Sequence, residues 1–457
     1  MDYITINEKD NVAVDIATGH KVSLCRIEKG DDIIKYGYPI GVATENIEKG
    51  ESVHSHNMKT KLGDILSYEY SPRFTLPEKE EPFMINAFVR KNGDIGIRND
   101  IFIIPTVGCV NNIAKQLSEK TDAVAFSHPY GCSQLGGDMK ITQLILRGLI
   151  MHPNAGGVLV LGLGCENNNI NEMKKILGTF DEKRIKFLSV QDVEDEIQQG
   201  VKLINEIKEE IKEDKRESVP ASKLKIGLKC GGSDGFSGIT ANPVCGKIAD
   251  KITSMGGIAV LTEVPEMFGA ETVLFERCVN EDIFRKAVKL INDFKQYFKN
   301  HGQPVSENPS PGNKEGGITT LEEKSLGCIQ KGGKAPVTDV LDYGDIAETP
   351  GLNLLNGPGN DIVSTTNLSA CGCHLILFTT GRGTPLGSAV PTIKIASNDA
   401  VAKKKSHWID FSAFGDDKSK KAEDLLELIK RVADGEQTKN EVCKNREIAI
   451  FKDGVTL

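Results

Sequence analysis

Polar and apolar residues alternate over short stretches near the start of the chain. Residues 11–16 and 22–27 each show this alternation, which is typical of a strand with one buried face. Gly- and Pro-containing turns separate these runs. The pattern therefore predicts a small β-rich domain over residues 1–72.

A linker with a β-hairpin is predicted next, over residues 73–100. Residues 76–82 are charged and bounded by prolines, as in a linker. Asn92 and Gly93 then lie between two alternating runs, and Asn-Gly in that position is a strong hairpin signal. Such a hairpin could serve as the arm of a dimer.

After residue 100, continuous apolar runs alternate with helical patterns. Apolar residues spaced three and four apart over residues 193–211 predict one face of a long helix. Buried strands alternating with helices indicate an α/β fold with a mostly parallel, doubly wound sheet. We expect one such domain over residues 101–335 and a C-terminal α/β subdomain over residues 336–457. The apolar runs lie at residues 101–105, 123–126, 157–163, 225–230, 257–261 and 374–380.

Two further segments complete the predicted organisation. Residues 301–322 are rich in Gly, Pro and Asn, which indicates an ordered or lid-like loop, and residues 319–324 open a probable helix. Residues 422–433 form a terminal amphipathic helix.

Candidate chemistry follows the predicted strands. In open parallel sheets, ligands bind beyond the carboxyl ends of the strands. If all the strands belong to one sheet, thiols, carboxylates and a cation share one glycine-lined edge. The strand-end residues are Cys109, His128, Cys132, Cys165, Glu166, Cys230, Asp234, Glu263, Glu266 and Arg382.

The cysteines allow two interpretations. Thiolates favour soft metals, so the strand-end cysteines can form a metal or iron–sulfur site. Alternatively, each is a small apolar residue buried beside a glycine turn. No pair has CxxC spacing, and Cys371 and Cys373 are only one residue apart.

Two further motifs attract attention. His54 and His56 would share a face if they lay on a strand, and could then bind one metal or anion; a solvated polar loop is the alternative. Residues 229–238 contain a lysine, hydroxyls and four glycines, a composition suited to binding an oxyanion. Neither a complete GxGxxG nor a GxxxxGK[ST] motif occurs, which removes support for dinucleotide-dependent hydride transfer and nucleotide hydrolysis.

Composition and charge exclude other classes of function. The chain has 457 residues and a formal net charge of -8, which argues against a nucleic-acid binder. No apolar run is long enough for a membrane span, so no membrane partner is expected. The first residues lack an apolar export signal, and the chain contains 11 cysteines. We therefore expect free thiols and a reducing, cytoplasmic location.

Seven sequence blocks, in this order, resemble the altronate/galactarate dehydratase family, whose members carry an N-terminal SAF-type domain. The resemblance covers nearly the full length of the chain. The blocks are VHSHN at 53–57, HPYGCSQ at 128–134, GLGCE at 162–166, KCGGSD at 229–234, EVPE at 263–266, GGITTLEEKSLG at 316–327 and TGRGTP at 380–385.

The resemblance implies a lyase that removes water from a sugar acid with the help of Fe²⁺ or Mn²⁺. For D-altronate the product would be 2-keto-3-deoxy-D-gluconate. Galactarate, or sulfolactate with sulfite as the leaving group, is an alternative substrate. A homo-oligomer, specifically a dimer, is expected. The competing hypothesis is a non-catalytic metal or iron–sulfur scaffold that docks a partner.

Roles for individual residues follow from this resemblance as hypotheses. His128 is expected as the general base, with a core-packed histidine as the alternative. Lys229 and Asp234 would handle proton transfer or orient the substrate carboxylate. Arg382 would hold the substrate carboxylate in a bidentate contact. The catalytic residues would be His128, Lys229 and Asp234, the substrate-binding residues Arg382, Ser233 and Thr384, and the metal ligands His54, His56, Cys132, Cys165 and Glu166.

Overall fold

The computed structural model describes residues 3–63 and 65–457, and its N-terminal part is the predicted β-rich domain. Two antiparallel sheets, β1-β2-β3-β6 and β4-β5-β7, pack around the apolar positions of the alternating runs. Val12 and Val14 of the first run are fully buried. The strands are β1 Tyr3–Ile4, β2 Val12–Asp15, β3 Lys21–Ser23, β4 Asp32–Lys35, β5 Tyr38–Ala43, β6 Ser52–Val53 and β7 Met58–Lys59.

The predicted hairpin forms, but it does not project as a free arm. Strands β8 (Met84–Val89) and β9 (Ile95–Gly96) are antiparallel, and Gly93 supplies the positive φ of +85° that their turn requires. The other edge of β8 pairs with residues Arg216–Pro220 of the same chain. The hairpin is therefore part of an internal three-stranded sheet.

A four-stranded parallel sheet follows, in the order β11-β10-β12-β13. The apolar stripe seen in the sequence forms the buried face of α4, where Ile204 and Ile207 pack toward the sheet. The strands are β10 Asp100–Pro105, β11 Val124–Ala125, β12 Ala155–Gly162 and β13 Ile185–Ser189; the helices are α1 Asn111–Lys120, α2 Gly136–Ile150, α3 Ile170–Leu177 and α4 Glu196–Ile211.

The largest sheet has seven strands in the order β17-β18-β16-β15-β19-β20-β21, and every neighbouring pair is parallel. Its strands, preceded by β14 Arg216–Pro220, are β15 Lys225–Cys230, β16 Ile258–Leu261, β17 Val337–Leu341, β18 Gly351–Leu355, β19 Leu375–Thr380, β20 Thr392–Ala396 and β21 Phe411–Ser412.

Helices cover this sheet, and α12 (Lys418–Ala433) confirms the amphipathic helix predicted over residues 422–433. In the segment 301–322 the chain forms one short helix, α8, and Thr320 then caps α9 through its side chain. The helices are α5 Ala241–Ser254, α6 Glu271–Phe275, α7 Glu281–Asn300, α8 Pro311–Glu315, α9 Leu321–Cys328, α10 Asp361–Ala370, α11 Asp399–Lys404, α12 Lys418–Ala433 and α13 Lys439–Val442. Short 3₁₀ helices lie at Gly108–Val110, Val190–Asp192, Ala221–Lys223, Val264–Glu266 and Ile329–Gly332.

The division of the strands corrects two expectations. The strand-end residues do not share one sheet edge, because strand pairing separates β10–β13 from β15–β21. The expected boundary between 101–335 and 336–457 falls inside the seven-stranded sheet, since β16 pairs with β18 and β15 pairs with β19. Which strands form one sheet is decided by hydrogen bonding between strands that are distant in the chain, and the spacing of apolar runs does not reveal it.

The N-terminal domain lies against the carboxyl edge of the seven-stranded sheet. Lys21 and Lys35 from the small domain both bind Glu323 of α9, at 2.8 and 2.7 Å, and all three side chains are buried. Burial alone would raise the pKa of Glu323, but the two ammonium groups lower it well below its usual value. Among the described residues, no helix has the length and apolar character needed to cross a membrane.

Candidate active site

A cavity of about 690 Å³ opens at the carboxyl edge of the seven-stranded sheet. It lies beside the point where β15 and β19 are neighbours and the strand order reverses direction, the usual ligand position in open α/β sheets. The loop after β15, the N-terminus of α10 and the segment 301–322 surround it. The lining includes Cys230, Gly231, Gly232, Ser233, Glu266, Asn308, Asn313, Lys324, Asn360 and Asp361.

A buried lysine anchors one wall of the cavity. Lys229, at the end of β15, is inaccessible to solvent and donates to Glu263, to Asp361 Oδ1 at 2.8 Å and to Cys230 O at 2.7 Å. Asp361 Oδ2 lies directly over Gly231, where a Cβ atom would come within 2.5 Å of it. The absence of a side chain at Gly231 therefore lets this carboxylate reach the cavity.

Two thiols and a carboxylate converge behind the cavity. Cys230 Sγ lies 3.1 Å from Glu266 Oε2 and 3.4 Å from Cys328 Sγ, although Cys230 and Cys328 are 98 positions apart in the chain. Lys331 Nζ approaches Cys230 Sγ at 2.8 Å, and Lys324 Nζ binds Glu266 Oε1 at 2.9 Å. All five side chains are buried.

The charged groups of this cluster shift one another's pKa values. Burial alone would raise the pKa of Glu266, but Lys324, Lys331 and Lys229 hold it well below its usual value. For Glu263, burial and the neighbouring Glu266 carboxylate raise the pKa.

The thiol of Cys328 has a pKa well above its usual value, because it bonds to Cys230 and is buried.

The donor set fits a divalent transition metal. Ligand atoms of Cys230, Glu266 and Cys328 all lie within 4.8 Å of one another, the only such group of three among the described residues. Two thiols suit iron or zinc, and the carboxylate is the ligand of this set that manganese also accepts. The three lysines around the group balance the carboxylates of Glu263, Glu266 and Asp361. A divalent cation bound by two thiolates therefore adds no net charge to this buried region.

Asp234 has a positioning role. Its carboxylate accepts hydrogen bonds from Phe236 N, Ser237 N, Ser237 Oγ, Ser397 Oγ and Asn398 Nδ2, at 2.8 to 3.2 Å. These bonds tie the loop after β15 to the end of β20. Because both oxygens accept hydrogen bonds from the protein, the contacts of Asp234 fit a role in holding the cavity wall better than the expected proton transfer.

The three expected substrate-binding residues differ in position. Ser233 lines the cavity, and its buried Oγ has no hydrogen-bond partner among the described residues. Arg382 is half exposed and binds Gly312 O at 2.9 Å and Glu315 Oε2 at 3.0 Å, so it tethers α8 to the end of β19. Thr384 lies in the following loop, where its Oγ1 accepts from Leu386 N.

His128 belongs to the other parallel sheet. It is 2% exposed, its Nε2 donates to Pro105 O at 2.7 Å, and its Nδ1 accepts from Tyr130 N at 3.2 Å. Burial lowers the pKa of the imidazole. Because the main chain occupies both ring nitrogens, His128 fits the core-packed alternative rather than the general base.

The five expected metal ligands are not brought together. Cys132, Cys165 and Glu166 lie at the edge of the four-stranded sheet, and Glu166 accepts from Thr106 Oγ1 at 2.6 Å and from two main-chain amides. His54 and His56 lie in a turn after β6, not on a strand, so they do not share a strand face.

His54 instead contacts the segment 301–322. Its Nε2 lies 3.0 Å from Lys314 O, and its Nδ1 lies 3.0 Å from Ser55 Oγ. Burial lowers the pKa of His54. This histidine therefore joins the N-terminal domain to α8.

Sequence reasoning identified Cys230 and Glu266 as strand-end residues but missed Asp361, Lys331 and the α9 pair, Lys324 and Cys328. The available signal was α9 itself, in which all eight residues are buried although three of them are charged. Buried charge in a helix requires partners, and the spacing of four places Lys324 and Cys328 on one face.

Comparison with known proteins agrees with this architecture. Three family models match the chain: the altronate/galactarate dehydratase SAF domain at residues 4–61, the D-galactarate dehydratase/altronate hydrolase second domain at 87–212, and the D-galactarate/altronate dehydratase C-terminal region at 221–456. The last of these alone spans more than half of the chain. The chain belongs to the altronate/galactarate dehydratase family. Within this family, the second-domain and C-terminal matches meet where the four-stranded sheet gives way to the seven-stranded one.

Relatives in this family match over most of their length. The altronate dehydratase of Bacillus subtilis (strain 168) is 53% identical, covering 99% of this chain and 94% of the relative. The altronate dehydratase of Escherichia coli (strain K12) is 50% identical, with complete coverage of both chains. The galactarate dehydratase (L-threo-forming) of the same organism is 30% identical, covering 90% and 88%.

Proposed function

We propose that the protein dehydrates D-altronate to 2-keto-3-deoxy-D-gluconate and water. The proton at C2 leaves, the C3 hydroxyl departs as water, and the resulting enol becomes the 2-keto acid. The observation that carries the proposal is the cavity at the carboxyl edge of the seven-stranded sheet, where cationic, anionic and thiol groups converge. The two altronate dehydratases at 50% and 53% identity support altronate over galactarate, whose dehydratase is 30% identical.

Charge stabilisation is the main chemical requirement of this reaction. Removing the C2 proton next to a carboxylate builds up negative charge, which fixed cations stabilise better than water does. Lys324 lines the cavity and Lys229 lies directly behind Asp361. We assign Lys324 to the substrate carboxylate, at a position held by Glu266 and by Asn308 Oδ1 at 3.0 Å.

Asp361 is our candidate for the base that accepts the C2 proton. Its side chain is 38% exposed and lines the cavity, so a bound substrate can reach it. Lys229 orients the carboxylate through Oδ1, and the space above Gly231 receives Oδ2. In this arrangement Lys229 takes part in proton transfer by positioning Asp361 rather than by contacting the substrate.

Substrate hydroxyls are assigned to the neutral polar groups of the lining. Ser233 Oγ lies at the cavity without a partner among the described residues, so a sugar hydroxyl would satisfy a buried group. Asn313 of α8 donates to Ser233 O at 2.8 Å and fixes this loop. Arg382 then acts on the substrate indirectly, by holding α8 over the cavity.

Cys230, Glu266 and Cys328 would hold the divalent metal, for which we propose Fe²⁺ or Mn²⁺. When bound, such an ion supplies a Lewis acid that polarises substrate oxygens and assists departure of the hydroxyl. Lys331 would remain hydrogen-bonded to Cys230 Sγ, which orients that ligand. The homo-oligomer expected from the sequence stays a prediction, and the internal pairing of the hairpin does not support its role as a dimer arm.

The decisive experiment is a substrate panel with anaerobically prepared protein and added Fe²⁺ or Mn²⁺. The panel contains D-altronate, galactarate and sulfolactate, and the assays measure 2-keto-3-deoxy acid and released sulfite. Metal-dependent keto acid from D-altronate supports the proposal. Product from galactarate alone, or sulfite release, would assign the cavity to a different acid, and no product from folded, metal-loaded protein would reject the dehydratase.

Variants locate the reaction within the chain. Asp361→Asn should lower kcat by at least about 10²-fold with a smaller change in KM, the usual size of a lost general base. Cys328→Ser should weaken metal binding, seen as a higher metal concentration needed for half-maximal rate. Cys443→Ser, at an exposed position in the C-terminal part of the chain, is the matched control and should leave both values unchanged.

A further inference from the structure

Five described cysteines are exposed, and three of them lie at the carboxyl edge of the four-stranded sheet. Cys109 follows β10, Cys132 follows β11 and Cys165 follows β12. These three strands are parallel and adjacent, in the order β11-β10-β12. Because parallel strands end at the same edge, the three thiols lie on adjoining loops. We call this group of Cys109, Cys132 and Cys165 the three-thiol edge.

Direct hydrogen bonds join these loops within a few residues of each thiol. Gly108, which precedes the first cysteine, donates its main-chain N–H to Tyr130 O at 2.9 Å. Gly131, which precedes the second, accepts from Asn168 N at 2.9 Å, and Asn168 lies in the loop of the third. Gly131 has a φ of +98°, and a Cβ there would lie 1.9 Å from Thr106 O. The loops therefore approach as closely as backbone permits.

Buried polar side chains hold this arrangement. His128 binds Pro105 O and Tyr130 N, and Glu166 receives Thr106 Oγ1 and two main-chain amides. All of these contacts except that with Thr106 Oγ1 fix loop backbone, and none involves the active-site cavity. A site whose supporting groups are themselves hydrogen-bonded is preorganised for a ligand.

The electrostatic setting favours a negatively charged group. Each cysteine is followed by a helix of eight or more residues, namely α1, α2 and α3. Their N-termini lie at the same edge as the thiols, and helix N-termini stabilise negative charge. A metal group bound by three thiolates carries such charge.

The spacing of the thiols excludes a single ion bound by all three. Two sulfur atoms that bind one ion at about 2.3 Å can be at most about 4.6 Å apart. The three sulfur atoms are not all within 4.8 Å of one another, because among the described residues only Cys230, Glu266 and Cys328 form such a group. The thiols are thus too widely spaced for one ion, whereas an iron–sulfur cluster accepts each thiolate on a different iron.

We propose that Cys109, Cys132 and Cys165 bind a [4Fe–4S] cluster, with one thiolate on each of three irons. The fourth iron has no protein ligand from this set and is open to an oxygen ligand such as a carboxylate or hydroxyl. This site uses none of the residues assigned to altronate dehydration. Either proposal can therefore fail while the other holds.

The test is anaerobic reconstitution of the full chain with Fe³⁺, sulfide and excess dithiothreitol, which supplies the electrons that reduce half of the iron, followed by desalting. Iron and acid-labile sulfide should each reach about four per chain, with broad visible absorption and a Mössbauer signature of a cubane. The triple variant C109S/C132S/C165S should lose the sulfide and the absorption. It should keep the wild-type circular dichroism, because the three side chains are exposed.

The matched control is C25S/C443S, which removes the two other exposed thiols and should retain the full cluster. A cluster that persists in the triple variant would overturn the proposal. So would iron without labile sulfide, or loss of the cluster in the control. The two proposals are tested separately, because dehydration is measured as keto acid and the cluster is measured as labile sulfide. If the triple variant still dehydrates altronate with Fe²⁺, the proposed function holds whether or not the cluster forms.

Discussion

The two parallel sheets present thiols and carboxylates at their carboxyl edges in opposite environments. At the seven-stranded sheet, Cys230 and Cys328 are buried among lysines and carboxylates. At the four-stranded sheet, Cys132 and Cys165 are exposed, and the buried Glu166 is held by neutral donors. The same strand–helix arrangement thus produces a buried site with ion pairs in one case and an exposed site without them in the other.

The difference in burial between the two edges arises because the N-terminal domain covers the edge of the seven-stranded sheet. The N-terminal domain reaches the edge of the seven-stranded sheet through Lys21 and Lys35, which bind Glu323 of α9. The same helix contributes Lys324 and Cys328 to the buried cluster. Burial strengthens every charge interaction there and makes an unpaired charge expensive. We expect mutations at the two edges to differ accordingly.

The largest effect is expected from Lys229→Met. Loss of this ammonium leaves the buried Glu263 and the neighbouring Asp361 without their main partner, which should lower the free energy of unfolding by about 3–5 kcal/mol. Urea denaturation measures this loss. Lys289→Met is the control, because its side chain is 74% exposed and its ion pair is worth less than about 1 kcal/mol. Equal effects would contradict the buried-cluster account.

The substitution His128→Ala tests the edge of the four-stranded sheet. Removing the imidazole leaves Pro105 O and Tyr130 N without their partner, which should cost about 1–3 kcal/mol in the free energy of unfolding. Turnover, measured at a temperature where the variant is folded, should persist. Abolished turnover with unchanged stability would restore His128 as the general base.

A pH experiment addresses buried charge elsewhere in the seven-stranded sheet. Burial lowers the pKa of Lys394 in β20 to about 7, below the usual lysine value. Between pH 7 and 10 the unfolded chain holds a proton here that the folded chain has lost, so raising the pH favours the folded state. The difference in unfolding free energy between the wild type and Lys394→Met should therefore grow in favour of the wild type. If the difference in unfolding free energy stayed constant between pH 7 and 10, the pKa of Lys394 would not be lowered in the folded protein.

The smallest effects on stability are expected at the exposed thiols. Cys132→Ser and Cys165→Ser should each change the free energy of unfolding by less than about 0.5 kcal/mol. In metal-free protein, iodoacetamide should modify these cysteines without denaturant and reach Cys230 and Cys328 only after unfolding. Mass spectrometry of peptides measures the order in which the cysteines are modified. Labelling of Cys328 before unfolding would show that the edge of the seven-stranded sheet is open to solvent.

Local sequence pattern was a good guide to elements and a poor guide to sites. The first alternating run, the Asn-Gly turn, the stripe of α4 and the helix opened by residues 319–324 form as predicted, because neighbouring residues decide them. The second alternating run, residues 22–27, is a strand only in its first part, within β3. His54 and His56 do not lie on a strand, since the chain turns after β6, so the condition for a shared strand face is not met. Strand propensity does not reveal where a strand of two residues ends.

Which residues belong to the active site depends on hydrogen bonds and ion pairs between distant residues, and the spacing of residues in the sequence does not reveal these contacts. Asp234 and His128 look catalytic as isolated polar residues beside glycines, and only their hydrogen-bond partners show that they hold loops in place. Asp361 and Lys331 lie in none of the sequence motifs. Their importance comes from ion pairs formed with Lys229 and Glu263 across 132 and 68 positions of the chain.

The sequence by itself determined the elements, the β-rich N-terminal domain and the family, because periodicity, turn residues and ordered motif blocks are properties of short segments. Tertiary structure alone decided that the strands form two sheets and which edge is covered. It also decided that Cys230 and Cys328 meet at 3.4 Å across 98 positions. The physical reason is that strand pairing and the burial of charge are settled by long-range contacts, whose energies depend on what surrounds each group after folding.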